Sequence, residues 1–355
     1  DGAANQSAIL RSKNPDAQTL LVGSHLDTVR NGGRYDGALG VLAALEAART
    51  IQDANLNLPL HLEVINFTDE EGSILGEFGS QALTGRLTPH HLAHPRGGSD
   101  ALNAGMARLG ITAESALNAQ RHPQEYISFV EIHIEQGTRL EEAGIDIGVV
   151  TSIVGIRSAW LTFTGEAAHA GTKPMTQRKD ALWGASEFIQ RAKAIDMGAF
   201  DPGVVNFGQI SLKPGAFNIV PAEVTLALEF RHGDEALLDA MQVRLFALAQ
   251  KVAEDNQLTL EINPADGCTA APSSHTVITA IEQAADKLNL SHTRLMSFAG
   301  HDTQMLSPFI PSAMLFTPCI AGISHNPNEA VHQQDLINGA NTLLHTLLIL
   351  ANQPI

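Results

Sequence analysis

The feature that most constrains this chain is a change of rhythm in its hydrophobic pattern at about Arg157. Upstream, continuous apolar runs alternate with stretches of helical spacing. From Arg157 to Ala265 the order becomes an alternating strand (SAWLTFTG), a helix (KDALWGASEFIQRAKAI), two strands (VVNFGQISL and EVTLALEFR), a helix (DEALLDAMQVRLFALAQKVAED) and a strand (LTLEINP). That β-α-β-β-α-β sequence is a ferredoxin-like α+β unit. Helix–strand alternation then resumes with SSHTVITAIEQAADKL, SAMLFTP and a C-terminal helix. The chain therefore reads as an α/β protein in which residues 157–265 are inserted into a larger domain made of residues 1–156 and 266–355. Its 355 residues exceed what one hydrophobic core usually supports, which agrees with two domains.

In the larger domain, TLLVGSH (Thr19 to His25) is a continuous apolar run of the kind that forms a buried parallel strand. Gly37 to Ala54 has helical spacing, with Leu39, Leu42, Ala43 and Leu45 predicted on one side. A second strand, HLEVINF, starts near His61 and breaks at Thr68, and a third lies around Ile127 to Gly137. Acidic and histidine residues follow these strands: His25, then Asp36 where the helix begins, Glu70 and Glu71 after the second strand, His133 and Glu135 on the third, and His325 after a Gly-containing turn. In open α/β sheets, ligands bind beyond the carboxyl ends of the strands. Taken singly, each residue has an ordinary explanation: a hydrogen-bonded strand-end histidine, a solvated Glu pair, a turn-forming Asp. Their joint placement points to a metal. Imidazole and carboxylate without thiolate suit Zn, Mn, Co or Ni, and exclude an iron–sulfur cluster or a thiolate zinc site. A second group, His90, His91 and His94 in HHLAHP, is followed at once by Pro95, has no acidic partner nearby and reads as surface.

Charge narrows the partners. A formal net charge of -16 leaves no excess of Lys or Arg to neutralise phosphates, so nucleic acid and an anionic membrane surface are both disfavoured. No apolar run approaches the roughly 18–20 residues of a transmembrane helix. Cys268 and Cys319 are the two cysteines; a disulfide framework is not expected and a reducing, cytoplasmic location is. Asp1 is not an initiator Met, so the lack of a targeting signal carries little weight.

Eight stretches, GSHLDTV, GGRYDGALG, DEEG, HIEQG, HAGTKPM, NIVPAE, AGHDTQ and GISHNPNE, resemble in order the motifs of the amidase/hydantoinase-carbamoylase family. That family comprises N-carbamoyl-L-amino-acid hydrolases, β-ureidopropionases and allantoate amidohydrolases, within the clan of dinuclear-zinc aminopeptidases and aminoacylases. The resemblance spans nearly the whole chain. It implies an aminopeptidase-like catalytic domain with the insertion serving as lid and dimerisation domain. Two divalent metal ions per subunit are implied, zinc first, with Mn, Co or Ni as alternatives. Asp36 would bridge them, His25 and His133 completing one site and Glu71 and His325 the other. Glu70 would be the general base for a hydroxide formed between the metals, and Asp27 would orient His25. A cis peptide is expected after Asp36, with Gly37 easing it.

The same resemblance gives His169 and Asn218 the oxyanion of the tetrahedral intermediate, supplied across a homodimer, and Arg231 the substrate carboxylate. Gln136 would read the carbamoyl group, since an amide both donates and accepts; Gly300 would lend a backbone N–H to the carboxylate. Three residues depart from the family pattern: Lys173 where Thr is usual, Phe298 where a small residue is common, and Glu229 where Asp is usual. The implied activity is hydrolysis of the ureido C–N bond of an N-carbamoyl-L-amino acid to the amino acid, CO2 and ammonia. Allantoate hydrolysis is the near alternative. A dizinc peptidase or aminoacylase is the more distant one, against which Gln136 argues. A non-catalytic binding protein of this fold would have no need of Glu70.

Overall fold

The computed structural model describes residues 1–265 and 267–352, and the side chains throughout these except at 195–197. Residues 266 and 353–355, within the predicted segment 266–355, lie outside the described residues. The chain forms two compact units, one of Asp1–Ile153 with the segment from Ala271 onward, the other Val154–Ala270. In chain order the first unit opens with β1 (Gln6–Leu10), β2 (Thr19–His25), β3 (His61–Phe67), β4 (Tyr126–Ile134) and β5 (Ile147–Ile153). The second unit holds β6 (Gly155–Thr164), β7 (Ala168–His169), β8 (Val204–Lys213), β9 (Ile219–Val220), β10 (Glu223–His232) and β11 (Thr259–Pro264). The first unit is completed by β12 (Ala271–Pro272), β13 (His292–Ser297) and β14 (Ser312–Thr317).

The first unit is built on one sheet in the order β1-β3-β2-β4-β14-β5-β12, with β13 beside β5. Its centre is parallel: β2 pairs with β3 and β4, and β14 with β4. β1 runs antiparallel to β3, and β5 antiparallel to β14. The chain leaves β2 for β3 on one side and then crosses to β4 on the other, so the direction of winding reverses at β2. Crevices at such switch points, at the carboxyl ends of parallel strands, are where α/β sheets bind ligands.

The central strands β2, β3, β4 and β14 bury both faces, as unbroken apolar runs require. Leu20, Val22, Leu62, Val64, Val130 and Ile132 pack on the helices Ala38–Asp53 and Gln333–Ala351. Leu21, Ile65, Phe67 and Phe129 face the other way, onto Leu306 and Ile310. The helix Ala38–Asp53 corrects one expectation. Its buried stripe is Leu39, Gly40, Ala43, Ala44, Ala47 and Ile51, while Leu42 and Leu45 are 60% and 41% exposed. Small residues at 40, 43, 44 and 47 let the helix lie close on the sheet, and that spacing, rather than the larger leucines, sets the face.

The second unit is a four-stranded antiparallel sheet in the order β11-β6-β10-β8. It carries the helices Ala181–Ala199 and Glu235–Asp255. Strand β10 alternates buried and half-buried residues along its whole length, and Val224, Leu226, Leu228 and Phe230 meet Leu161, Phe163, Phe188, Leu245 and Val252. This is the ferredoxin-like arrangement read from the pattern. Strand β8 lies at the sheet's edge, with Ile210 and Leu212 exposed. No helix among the described residues is long and apolar enough to cross a membrane.

Candidate active site

Four parallel strands point their carboxyl ends the same way, and the polar residues that follow them converge. His25 closes β2, His133 is the penultimate residue of β4, Glu70 and Glu71 follow β3, and His325 follows β14. Asp36 arrives from the loop between β2 and its helix. Two groups result, His25–Asp36–His133 and Asp36–Glu71–His325, each with donor atoms within 4.8 Å of one another. Asp36 belongs to both. Its Oδ1 lies 3.0 Å from His133 Nε2 and 3.6 Å from His25 Nε2. Its Oδ2 lies 3.4 Å from His325 Nε2, which is also 3.4 Å from Glu71 Oε2. One carboxylate thus turns one oxygen to each group.

The imidazole tautomers follow from their outer partners. His25 Nδ1 meets the main-chain oxygen of Asp27 at 2.9 Å, and His133 Nδ1 meets that of Ile134 at 2.9 Å. A carbonyl only accepts, so both Nδ1 atoms carry hydrogen and both Nε2 atoms face Asp36. Asp27 does not orient His25 with its side chain: its Oδ1 stands 3.8 Å from His25 Nδ1. Instead the carboxylate accepts from the backbone N–H groups of Glu70 (3.2 Å) and Glu71 (3.1 Å). Asp69, at φ 53°, accepts from Ile74, Leu75 and Gly76 N–H. Between them, two aspartates fix the turn on which Glu70 and Glu71 sit.

The expected cis bond is absent; the Asp36–Gly37 peptide is trans. A γ-turn redirects the chain instead, with Gly37 at φ 60°, ψ -46° and Ala38 N–H bonded to Asp36 O at 2.6 Å. This positive-φ form is strained for any residue with a Cβ. A Cβ at position 37 would also overlap the His25 ring. Gly37 N–H points at His133 Nε2, 3.0 Å away.

Electrostatics mark the same point. Burial acts to raise the Asp36 carboxyl, yet His133 and His25 hold it well below the usual carboxylate range. Burial acts to lower His133, but the hydrogen bond and charge of Asp36, with Glu131 behind, raise it to about 9. A place that draws a proton so strongly also draws a cation. Glu71 Oε1 is buried with no hydrogen-bond partner. Nitrogen and oxygen donors, a shared carboxylate and an orphaned buried oxygen fit a pair of divalent cations. The two groups differ in access: His25 and His133 are 1% exposed, whereas the His325 side chain is 51% exposed.

Glu70 stands beside the first group, its Oε2 3.5 Å from His25 Nε2. Burial, then the carboxylates of Asp302, Glu77, Glu131 and Glu71, push its carboxyl well above the ordinary range. Gln136, at φ 57°, donates from Nε2 to Asp36 Oδ2 (2.8 Å), and its Oε1 is buried without a partner. Glu135 turns away and accepts from Arg139 and Leu140 N–H. Gly300 lies on an exposed loop, and Phe298 two residues before it stacks under the Arg139 guanidinium at 5.1 Å.

Sequence reading passed over a buried layer behind His133. His301 packs edge-on against its ring at 4.6 Å, and Glu131 accepts from Ser24 Oγ, Thr303 Oγ1 and Thr303 N–H. The AGHDTQ stretch contained the signal, a His-Asp pair a few residues after β13, a strand for which no expectation was drawn from the sequence.

The second unit places His169 opposite Ile219 in the β7–β9 ribbon, one residue from Asn218. His169 Nδ1 accepts from Gly171 and Thr172 N–H at 3.0 and 3.2 Å, so Nε2 carries the hydrogen and can donate. Arg231 is paired with Glu229 at 2.8 Å. Lys173 N–H bonds His169 O in the same loop. His90 and His91 lie on a short helix, Pro89–Ala93, whose N-terminal cap engages His91 and which His94 ends; the three belong to neither candidate metal group. Cys319 is buried and Cys268 partly so, both as free thiols.

A profile for peptidase family M20/M25/M40 matches residues 21–349. The chain is 35% identical to an N-carbamoyl-L-amino acid amidohydrolase of Geobacillus stearothermophilus, covering 99% of this chain and 86% of that protein. It is 35% identical to the allantoate amidohydrolase of Escherichia coli K12, over 95% of this chain and 82% of the relative. In structure it is similar to a hydantoinase/carbamoylase-family amidase from Burkholderia multivorans, with a TM-score of 0.90 and 31% identity over 100% of this chain and 86% of that one.

Proposed function

The chain belongs to peptidase family M20/M25/M40, as an amidohydrolase of the N-carbamoyl-L-amino-acid and allantoate type, and from that premise we propose that it hydrolyses the ureido C–N bond of N-carbamoyl-L-amino acids. Atoms balance as water plus the carbamoyl amino acid giving the amino acid, CO2 and ammonia. The observation that carries this reading is Gln136, whose buried Oε1 has no partner while its amide nitrogen is anchored on Asp36. An unpartnered carbonyl oxygen beside the Asp36 carboxylate suits the N–H groups of a ureido substrate. The identity shared with an allantoate amidohydrolase favours a second reading, since allantoate offers the same ureido group.

His25, Asp36 and His133 would hold one divalent cation, and Asp36, Glu71 and His325 the other, with zinc the first choice and Mn, Co or Ni able to serve. Bound there, such ions supply Lewis acidity, lowering the pKa of water and polarising a carbonyl oxygen. Glu70 Oε2 takes the proton of the attacking water and returns it to the leaving nitrogen. Asp27 keeps Glu70 in place through its backbone N–H. His169 Nε2–H and the Asn218 amide donate to the developing oxyanion. Arg231 holds the substrate carboxylate with Gly300 N–H, released from Glu229 to the extent that the substrate competes for it.

The test is ammonia release by Zn- or Mn-loaded protein from a panel of N-carbamoyl-L-amino acids, allantoate and a dipeptide control. Ammonia from the carbamoyl substrates is expected. Ammonia from allantoate alone would move the substrate, and cleavage of the dipeptide alone would overturn the ureido reading.

We further infer a homodimer through the second unit, whose edge strand β8 has no second partner among the described residues. His169 and Asn218 then serve the partner's site. Mixing inactive Glu70→Gln with inactive His169→Ala subunits should restore up to about a quarter of wild-type activity, because half the dimers are mixed and each holds one intact site. No recovery after subunit exchange would place His169 within its own subunit.

A further inference from the structure

GISHNPNE ends in a residue to which the proposed chemistry gives no role. Glu329 is 3% exposed, four residues beyond His325. Its Oε1 accepts from the backbone N–H of Tyr35 at 2.8 Å and of Asp36 at 3.1 Å. Ser324 Oγ, with one hydrogen to give, stands 3.0 Å from both Glu329 Oε2 and Asp36 Oδ2 and shares it between the two carboxylates. Gly33 closes over the same carboxylate so tightly that a Cβ at 33 would overlap it.

These contacts hold both ends of one residue. The Asp36 backbone is fixed by Glu329 directly, and its side-chain oxygen is fixed through Ser324, with Gln136 Nε2 reaching Ser324 at 3.2 Å. The loop after β2 carries Asp36, which both groups share, the loop after β14 carries His325 of the second group, and Glu329 is where the two loops are tied. A bridging carboxylate must present both oxygens at set directions, and a swivel of the loop would spoil both groups at once. We propose that Glu329 is a positioning residue that sets the Asp36 carboxylate for cation binding, touching neither substrate nor cation itself. The inference rests on the dinuclear reading of the site.

The test measures Zn2+ affinity of metal-depleted protein by chelator competition, with the visible spectrum of the Co2+ form and the thermal midpoint of the metal-free form alongside. Glu329→Ala should weaken Zn2+ binding by about 10–100-fold and change the Co2+ bands, in the range seen for lost outer partners of metal ligands. Glu329→Gln should stay close to wild type, since its oxygen can accept from Tyr35 and Asp36 N–H and its amide can donate to Ser324. Gly33→Ala displaces the carboxylate without removing it and should show a loss like that of Glu329→Ala. In the Glu329→Ala background it should add nothing, the mark of one shared cause. Glu329→Ala binding Zn2+ as tightly as wild type would overturn the proposal. So would Glu329→Gln failing as badly as Ala, which would make charge, not placement, the contribution. Wild type that takes up no Zn2+ pair would instead remove the dinuclear reading beneath it.

Discussion

Glu70→Gln should lose about 10²–10⁴ in kcat, the range that a positioned general base contributes, while keeping both cations. The carboxamide fills the same volume beside His25 but cannot take a proton from water or pass one to the leaving nitrogen. Glu70 is no part of either ligand group, so metal content should stay at the wild-type level. Its adjacent residue differs: Glu71 directs Oε2 at His325 Nε2, and its replacement should cost metal. The two roles separate because the chain is pinned at both amides by Asp27 and bent at Asp69. The measurement is kcat for ammonia release together with metal content by elemental analysis. Turnover within about tenfold of wild type would remove Glu70 as the base. Loss of metal along with turnover would recast it as a ligand.

Asp36→Ala should abolish both cation sites in one step. Oδ1 serves His25 and His133 while Oδ2 serves His325, so removing the side chain takes a donor from each group. It also leaves Gln136 and Ser324 without their shared acceptor. The expected weakening exceeds the 10–100-fold typical of residues one layer further out, and turnover should be lost with it. His325→Ala gives the contrast, since it strips one group and leaves His25, Asp36 and His133 intact. Isothermal titration of metal-depleted protein separates the cases: neither site for Asp36→Ala, one for His325→Ala. A single tight site surviving in Asp36→Ala would mean that the two groups do not share that carboxylate.

What the sequence made legible was periodic or adjacent. Strand and helix alternation gave the two-unit plan and the antiparallel insertion, because burial on one or two faces writes itself into spacing. Strand ends gave the residues to look at, since parallel strands must deliver them to one side. Their division into two groups around Asp36 came through family resemblance, as no spacing rule says that His25 and His133 meet Oδ1 while His325 meets Oδ2. Other features left no periodic trace. The buried stripe of the helix Ala38–Asp53 follows its small residues, so Leu42 and Leu45 misled. The resemblance gave Asp27 as the residue that orients His25; its main-chain oxygen meets His25 Nδ1, while its carboxylate reaches backbone amides more than forty residues further on. The turn at Gly37 is trans, and only the geometry tells a γ-turn from a cis bond. Glu329 acts on amides nearly the whole chain length away, a contact that one sequence does not announce.

The placement of β14 sets when such a molecule can begin to work. Val154–Ala270 is contiguous, and its four-stranded sheet is complete as soon as Thr259–Pro264 has been made. The first unit cannot close at that moment, for β14 fits between β4 and β5 and is among the last strands to be synthesised. His325 and Glu329 arrive later still. On the ribosome the insertion can therefore settle while the hydrolytic half waits with a gap in the middle of its sheet. A chain that stops before β14 lacks the strand between β4 and β5 as well as His325, so competence for hydrolysis reports that translation has run past both.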